Sequence, residues 1–274
     1  MPELPDVEAL VQTLRPQLVG QTVEAFRLFR PLVMRALPAD LQPETTLKGR
    51  PVTDVGRRGK MLVLEHDDGL WLVVSFMLAG TLVYRSLRLK PRVRDYYGLR
   101  YANGIELVYN DAKGMGKTYL TKDLRQVPGF FEMGPDALAP DLSLETFLTR
   151  LDAHRGEIKG VLTRERVVSG IGSAYADEIL FEARIYPFRK CKSLSTEERT
   201  ALYFAMRDVL TDRVAFLIPR MRDRLDLHDR VGLRIHGRAG ERCVRCGGRI
   251  SEIAVARRPT HFCRACQPGL LIGQ

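Results

Sequence analysis

The sequence lacks any apolar run long enough to cross a bilayer. Its longest such run covers residues 70–79 and includes Ser75, whereas a membrane-spanning helix needs about 20 apolar residues. The first residues show no basic start, no long apolar stretch and no small-residue cleavage site, so a secretory signal is not expected. These absences argue against a membrane protein and a secreted one, and we expect a cytoplasmic protein.

Acidic residues are too few to balance the basic ones. The chain has 33 Asp and Glu against 43 Lys and Arg, which gives a net charge of +10 and a pI near 9.6. Such an excess favours a polyanionic partner, and nucleic acid before membrane, because no basic amphipathic helix stands out. The alternative is a basic soluble protein without such a partner. With 274 residues, the chain is long enough for two domains or one large one.

Cysteine is scarce outside one cluster. Of the five cysteines, only Cys191 lies before residue 243, and no role is expected for it. Cys243 and Cys246 form one C-x-x-C pair and Cys263 and Cys266 another, with sixteen residues between the pairs. This spacing is typical of four thiolates on one tetrahedral, structural zinc held by a two-stranded hairpin. The alternative is four unliganded cysteines in a tail too small to fold alone.

The chain has no internal repeat or low-complexity segment, but its periodicity changes. Residues 4–20 place apolar side chains at helical spacing, and short strand-like segments between turns fill 21–120, as in an antiparallel sandwich or barrel. Pro and Gly punctuate 126–141, which predicts a hinge. The predicted strands are 61–66, 70–76, 81–86, 98–101 and 105–110, and the later predicted helices are 143–151, 157–163, 173–183 and 195–216.

The first eight residues concentrate groups suited to amine chemistry. Pro2 is small enough to allow removal of Met1, which would leave a free secondary amine, and an α-amino group has a pKa of roughly 7.7–8.0. Three carboxylates follow within six positions, and an amine beside a carboxylate is what Schiff-base chemistry requires. The alternative is an ordinary helix start, because Pro5 and Asp6 suit a first helical turn.

A Gly-x-Gly turn separates two of the predicted helices. Gly170 and Gly172 would let the backbone approach a phosphate, with the amides of the next helix facing it. Lys159 upstream could add positive charge to the same site. The alternative is a tight turn that needs glycine for steric reasons alone.

Four separated elements occur in a fixed order along the chain. They are Pro2-Glu3-Leu4-Pro5, Gly56-Arg57-Arg58-Gly59-Lys60, Gly170-Ile171-Gly172 with Tyr175 and Glu178, and the four-cysteine finger. Together they resemble the formamidopyrimidine-DNA glycosylase / endonuclease VIII family of base-excision repair enzymes over the whole chain. The resemblance implies an α+β multidomain fold. Its parts would be a catalytic β-sandwich with a leading helix (1–126), a helix-two-turns-helix DNA-binding domain (127–238) and a zinc finger (239–274).

The resemblance implies a bifunctional DNA glycosylase and AP lyase that removes oxidised bases. Pro2 matches the nucleophile that attacks C1′ and forms a Schiff base, after which β- and δ-elimination cut the strand. Glu3 matches the carboxylate that moves protons, and Lys60 matches the lysine that contacts DNA beside the lesion and assists base release. The implied partner is double-stranded DNA with damaged bases or abasic sites, bound by a zinc-containing monomer in the bacterial cytoplasm, in association with the nucleoid.

Six further residues match family positions that contact DNA. Leu78 stands at the wedge position, and Lys113 and Met115 stand where an Arg and a Phe normally enter the base stack. The other three match phosphate-contacting positions: Lys159, Ser173 and Arg258.

Several positions depart from the family pattern. Asp6 replaces a Glu, so a contact to the flipped nucleotide is expected to be lost or rerouted, and Ser173 replaces an Asn with longer reach. Lys113 cannot make the forked contacts of Arg, so we expect a weak or altered opposite-base preference. The segment 218–235 is short, which favours the pyrimidine-type branch or an atypical paralogue. Two alternatives stay open: a damage- or structure-specific DNA-binding paralogue with lost or abasic-site-only activity, and a zinc-ribbon transcription factor, which leaves the N-terminus unexplained.

Overall fold

The chain divides into two units. The computed structural model describes residues 1–255 and 258–269, with Val255 and Arg258 described by their backbone alone. One unit comprises Met1–Phe131 and Val214–Asp229, and the other comprises Glu132–Arg213 and the chain from Arg230 onward. Within these described residues, no helix combines the length and the apolar character that crossing a membrane requires.

Two β-sheets form the first unit. The strands are β1 (Val23–Leu28), β2 (Met34–Leu37), β3 (Val52–Arg58), β4 (Met61–His66), β5 (Leu70–Ser75), β6 (Gly80–Tyr84), β7 (Asp95–Tyr101), β8 (Glu106–Asp111) and β9 (Lys117–Thr121). One sheet has the order β1-β7-β8-β6 and the other β2-β9-β5-β4-β3, in which β2 runs parallel to β9. Buried side chains of both sheets belong to one hydrophobic core, so the expected β-sandwich is confirmed.

The leading helix, α1 (Leu4–Leu18), packs against β3 and β4. Its apolar stripe of Val7, Leu10, Leu14 and Leu18 is 0% exposed and forms part of the same core. Burying each such side chain contributes about 1.5–3 kcal/mol, so the helix is held mainly by this face. The predicted leading helix and its buried face are therefore confirmed.

The end of the last long helix and the stretch that follows it, Val214–Asp229, contribute to the first unit. Leu217, Met221, Leu225 and Leu227 are at most 2% exposed and lie in its core. A short 3-10 turn, Ile218–Met221, brings Met221 inward. The short segment before the finger is therefore anchored by apolar burial at regular intervals.

Helices dominate the second unit. They are α3 (Leu144–Asp152), α4 (Ile158–Leu162), α5 (Ser173–Glu182) and α6 (Thr196–Leu217), whereas the short α2 (Pro43–Leu47) belongs to the first unit. Ser195 and Glu198 form the predicted capping box at the start of α6, with reciprocal bonds of 2.9 and 3.2 Å. The strands β10 (Ile250–Val255) and β11 (Arg258–Cys263) pair antiparallel and form the hairpin expected of the finger.

Candidate active site and nucleic-acid interface

The start of α1 positions the candidate catalytic carboxylate. Glu3 is the N-cap residue of α1 and only 3% exposed. The carboxylate of Asp6, which is 0% exposed, accepts the Glu3 backbone N–H at 2.8 Å. This bond fixes the first turn and therefore the backbone of Pro2 and Glu3. The sequence analysis placed Asp6 in a first helical turn, which the structure bears out, but it did not identify the bond to the Glu3 N–H, although Glu-x-x-Asp before an apolar run is a capping signal.

Lys60 lies in the two-residue turn between β3 and β4. Gly59, with a φ of +55°, supplies the left-handed conformation that such a turn needs. Arg57 on β3 donates to Glu8 on α1 at 2.6 Å, and the Arg57 side chain is only 8% exposed. This ion pair ties the turn that carries Lys60 to the helix that begins beside Pro2.

Leu78, Lys113 and Met115 lie on two surface loops. Leu78 is 42% exposed and Met115 is 44% exposed, and Lys113 is exposed as well. The first loop ends at Gly80 and the second begins at Asp111, and these two residues are partners in the pairing of β6 with β8. The loops therefore leave the same end of adjacent strands. Their exposed apolar side chains suit a surface that meets a partner.

The ammonium of Lys159 is engaged inside the second unit. It lies 2.7 Å from Asp177 Oδ1 and donates to the Pro259 carbonyl at 3.0 Å and to the Thr260 hydroxyl at 2.9 Å. Ser173 Oγ also donates to the Pro259 carbonyl, at 3.4 Å. Both residues were expected to hold phosphates, and both hydrogen-bond to the finger hairpin. Their contacts to DNA stay predictions.

Asp177 is the centre of a buried polar cluster. His236 Nδ1 lies 2.7 Å from Asp177 Oδ2, and the His261 backbone N–H donates to the same oxygen at 3.2 Å. Burial would raise the pKa of Asp177, but hydrogen bonds from the two histidines and the charge of Lys159 lower it. Ligand atoms of Asp177, His236 and His261 lie within 4.8 Å of one another. Because Lys159 already neutralises the carboxylate, ion pairing explains this cluster without a metal.

Glu178 joins α5 to the segment that leads into the finger. Its carboxylate is 2% exposed and accepts the backbone N–H groups of Arg234, Ile235 and His236 at 2.8–3.0 Å. Three charge-assisted bonds to one carboxylate hold this segment firmly on the helix. The sequence analysis did not identify this structural role of Glu178. The available signal was the pair of adjacent acids, Asp177 and Glu178, within the predicted helix.

The Gly170–Gly172 turn has a steric reason for its glycines. Gly170 adopts a φ of +101°, and its N–H donates to Glu165 Oε2 at 2.9 Å. Gly172 is the N-cap residue of α5. The turn therefore aims the start of a ten-residue helix, while phosphate binding there stays a prediction.

The four clustered cysteines have the geometry of a tetrahedral zinc site. Cys243 and Cys266 have their sulfurs 3.8 Å apart, and Cys246 and Cys263 have theirs 3.5 Å apart. A Zn–S bond of about 2.3 Å implies sulfur separations of about 3.8 Å in a tetrahedron. Backbone N–H groups bring the pKa of Cys243 down to about 7 against the effect of burial, whereas burial raises the pKa of Cys263 and Cys266, so zinc would have to displace protons from these thiols when it binds. Arg258 heads β11, and its side chain lies outside what the structure describes.

Three family models match the chain in order. They are described as the formamidopyrimidine-DNA glycosylase N-terminal domain (residues 1–118), the formamidopyrimidine-DNA glycosylase H2TH domain (133–217) and the zinc finger found in FPG and IleRS (240–269). The finger match, together with the four clustered sulfurs, confirms one structural zinc site.

Similar proteins cover nearly the whole chain. A formamidopyrimidine-DNA glycosylase of Desulforamulus reducens is 33% identical over 274 residues, which are 97% of this chain and 99% of that protein. The Lactococcus lactis enzyme bound non-covalently to DNA with an AP site has a TM-score of 0.84 at 27% identity, covering 97% of this chain and 100% of that one. The same enzyme with DNA containing N7-benzyl-Fapy-dG has a TM-score of 0.87 at 28% identity, covering 98% and 100%.

Proposed function

The chain belongs to the formamidopyrimidine-DNA glycosylase family and is a DNA glycosylase of base-excision repair, and from this premise we propose that it also has AP lyase activity and uses Pro2 as its nucleophile. Its substrate would be double-stranded DNA that contains oxidised bases or abasic sites. The observation that carries the proposal is the start of α1, where Asp6 holds the buried Glu3 in place beside Pro2.

The chemistry begins once Met1 has been removed and the Pro2 amine is free. The amine attacks C1′ of the damaged nucleotide, and the bond from C1′ to the base breaks as the base leaves with a proton. The amine then loses its own proton, the C1′–O4′ bond of the sugar breaks as O4′ takes up a proton, and the iminium that forms between C1′ and the Pro2 nitrogen makes the C2′ proton acidic. Loss of that proton expels the 3′ phosphate by β-elimination, and δ-elimination then expels the 5′ phosphate. Glu3 would carry protons to and from the sugar, and water would release the sugar fragment from Pro2.

From its position in the β3–β4 turn, Lys60 would assist the release of the damaged base. Its position is supported by the Arg57–Glu8 ion pair, which joins the turn to α1. A group held at a fixed distance from the reacting centre loses little entropy when the substrate binds. We therefore assign Lys60 to the catalytic set with Pro2 and Glu3.

Leu78, Lys113 and Met115 would fill the space that a flipped nucleotide leaves in the duplex. Their exposure on two neighbouring loops supports this assignment. Ser173 and Arg258 would contact backbone phosphates. For Lys159 we propose an indirect role, because its ammonium already binds Asp177, Pro259 and Thr260.

A lesion panel tests this function. Duplexes that carry an oxidised pyrimidine, an oxidised purine or an abasic site are incubated with the wild-type protein and with Glu3→Gln. We expect incision of at least one oxidised-base duplex by the wild type and a large loss in the variant. Incision at abasic sites alone would support the abasic-only alternative, and no incision of any duplex would refute the enzyme proposal.

A further inference from the structure

Two surface loops of the first unit each have one end next to the same buried tyrosine, Tyr109. The first loop, residues 76–80, carries Leu78, and the second loop, residues 111–116, carries Lys113 and Met115. Tyr109 lies on β8 just before the second loop and is 0% exposed.

The Tyr109 hydroxyl fills the space at the end of both loops. A Cβ placed on Gly80 would lie 2.2 Å from the Tyr109 hydroxyl oxygen, and a Cβ placed on Gly116 would lie 1.8 Å from it. Real Cβ atoms essentially never approach another heavy atom closer than 3.0 Å. The hydroxyl therefore restricts position 116 to glycine, whereas position 80 is restricted both by the hydroxyl and by the Phe76 carbonyl oxygen, which would lie 2.6 Å from a Cβ there.

Tyr109 is held too firmly to move aside. Its ring stacks on Tyr97 with centroids 5.1 Å apart and planes 4° from parallel, and on Phe76 with centroids 6.2 Å apart. Phe76 is itself the first residue of the first loop, and its carbonyl accepts the Gly80 N–H at 2.9 Å. The first loop is thus closed on itself and stacked on the Tyr109 ring.

The second loop is fixed beside the same hydroxyl. Asp111, which is 1% exposed, accepts the Lys113 N–H at 2.8 Å and the Gly116 N–H at 2.7 Å. These two bonds close the loop around one buried carboxylate. Burial, with nearby Tyr97 and Asp111, raises the pKa of Tyr109, so its hydroxyl keeps its proton.

We propose that Tyr109 is a positioning residue for lesion recognition, which sets the two loops at one fixed spacing so that Leu78, Lys113 and Met115 enter the duplex together. This inference rests on the proposed function, because it requires those three side chains to meet DNA. Loops that are already ordered lose less conformational entropy on binding. Because the Tyr109 hydroxyl lies at the ends of both loops, the fit of the protein to the base opposite the lesion would depend on both loops at once.

Substitution of Tyr109 by Phe tests the proposal. The ring and its stacking remain, but the hydroxyl between the loop ends is lost. We expect about a tenfold fall in kcat/KM on lesion duplexes, since small misplacement of positioned groups costs up to ~100-fold, and a weaker preference for the opposite base. AP lyase activity on a single-stranded abasic oligonucleotide should persist, because that substrate has no base stack to enter. Tyr101→Phe, which removes another fully buried hydroxyl at the far end of β7, should leave both activities unchanged.

A second substitution tests the geometry. Gly116→Ala should lower duplex activity more than Tyr109→Phe, and the double variant should recover part of that loss, because the atom 1.8 Å from the new Cβ is gone. Melting temperatures of all variants are measured in parallel. The proposal is overturned if Tyr109→Phe leaves duplex activity and base preference unchanged. It is also overturned if duplex and single-strand activities fall together, as a purely structural role requires, or if the double variant shows no recovery. A wild-type protein without any lyase activity would instead refute the proposed function, and the inference would fall with it.

Discussion

The ammonium of Lys159 lies 2.7 Å from the carboxylate of Asp177, and this pair links α4 and α5 to the finger hairpin. The Asp177 side chain is 0% exposed and that of Lys159 is 12% exposed. The same ammonium donates to Pro259 and Thr260 on β11, the strand that Arg258 begins. Lys159 therefore has the geometry of a residue that positions the finger strand.

A double-mutant cycle of Lys159→Met and Asp177→Asn tests this role. Each single change should cost about 3–5 kcal/mol in the free energy of unfolding, because breaking a buried pair leaves one partner uncompensated. The double variant should lose clearly less than the sum of the two. Denaturant unfolding measures the coupling, and additivity within about 0.5 kcal/mol would contradict the role.

The salt dependence of DNA binding distinguishes a positioning role of Lys159 from a direct contact between Lys159 and a phosphate. A lysine that neutralises a phosphate changes the slope of log affinity against log salt by about one when it is removed. We expect Lys159→Met and Asp177→Asn to weaken binding of an abasic-site duplex alike, with similar slopes. A slope change of about one in Lys159→Met alone would assign this lysine to a phosphate.

Asp6→Ala should loosen the start of α1. The Glu3 N–H loses its acceptor, and loss of a capping side chain costs about 0.5–2 kcal/mol of unfolding free energy. Turnover should fall as well, since Pro2 and Glu3 share that turn. Asp6→Asn keeps an acceptor oxygen and should retain more activity, while Asp40→Ala, at an exposed position, serves as the control. An Asp6→Ala variant with wild-type stability and turnover would show that the cap is dispensable.

His66 should make the first unit sensitive to acid. It is 1% exposed, and burial lowers its pKa from 6.5 to about 4. Below pH 6.5 the unfolded chain binds a proton that the folded chain excludes, so stability is full above that pH and falls as the pH drops towards 4, by on the order of 3 kcal/mol. Urea unfolding of His66→Leu between pH 7.5 and 4.5 should lose this component, while His154→Gln should keep it. Parallel pH profiles for wild type and His66→Leu would contradict the assignment.

The zinc site should bind one zinc ion per chain, and its loss should unfold the finger. We expect about one zinc per chain, and Cys246→Ser should lose the metal, unfold the finger and abolish binding to an abasic-site duplex. Cys191→Ala, which changes a buried cysteine outside the cluster, should keep both. Zinc is measured by elemental analysis and binding by titration. Full zinc content and undiminished binding in Cys246→Ser would rule out this account of the finger.

Local patterns predicted the elements with strong periodicity. The α1 stripe, strand 61–66 and the helices from residue 143 onward emerge from local pattern, most clearly in strand 61–66, whose burial alternates along its length. The strands β1, β2, β3 and β9 were missed. β3 ends in Gly-Arg-Arg and shows little alternation in burial, and β2 pairs in parallel with β9, far away in sequence. Such strands are stabilised by their partners, which a local window does not contain.

The candidate site shows the same contrast between features that a local pattern predicts and features that depend on distant segments. Local spacing predicted the four-cysteine zinc site, which is confirmed, whereas Pro2, Glu3 and Lys60 stay predictions that rest on motifs shared with the family. The partner of Lys159 was not predictable, since Pro259 lies 100 positions away. The Tyr109 hydroxyl at the ends of two loops likewise depends on the register of β6 and β8. Tertiary packing decides which charged and polar groups remain available to DNA.

Borohydride trapping with peptide mapping tests the central claim most directly. The protein is incubated with a lesion duplex in the presence of borohydride, and the reduced covalent complex is digested and analysed by mass spectrometry. The account predicts that the sugar adduct lies on the α-amine of Pro2, in chains that have lost Met1. An adduct on Lys60, or incision without any adduct on Pro2, would contradict it.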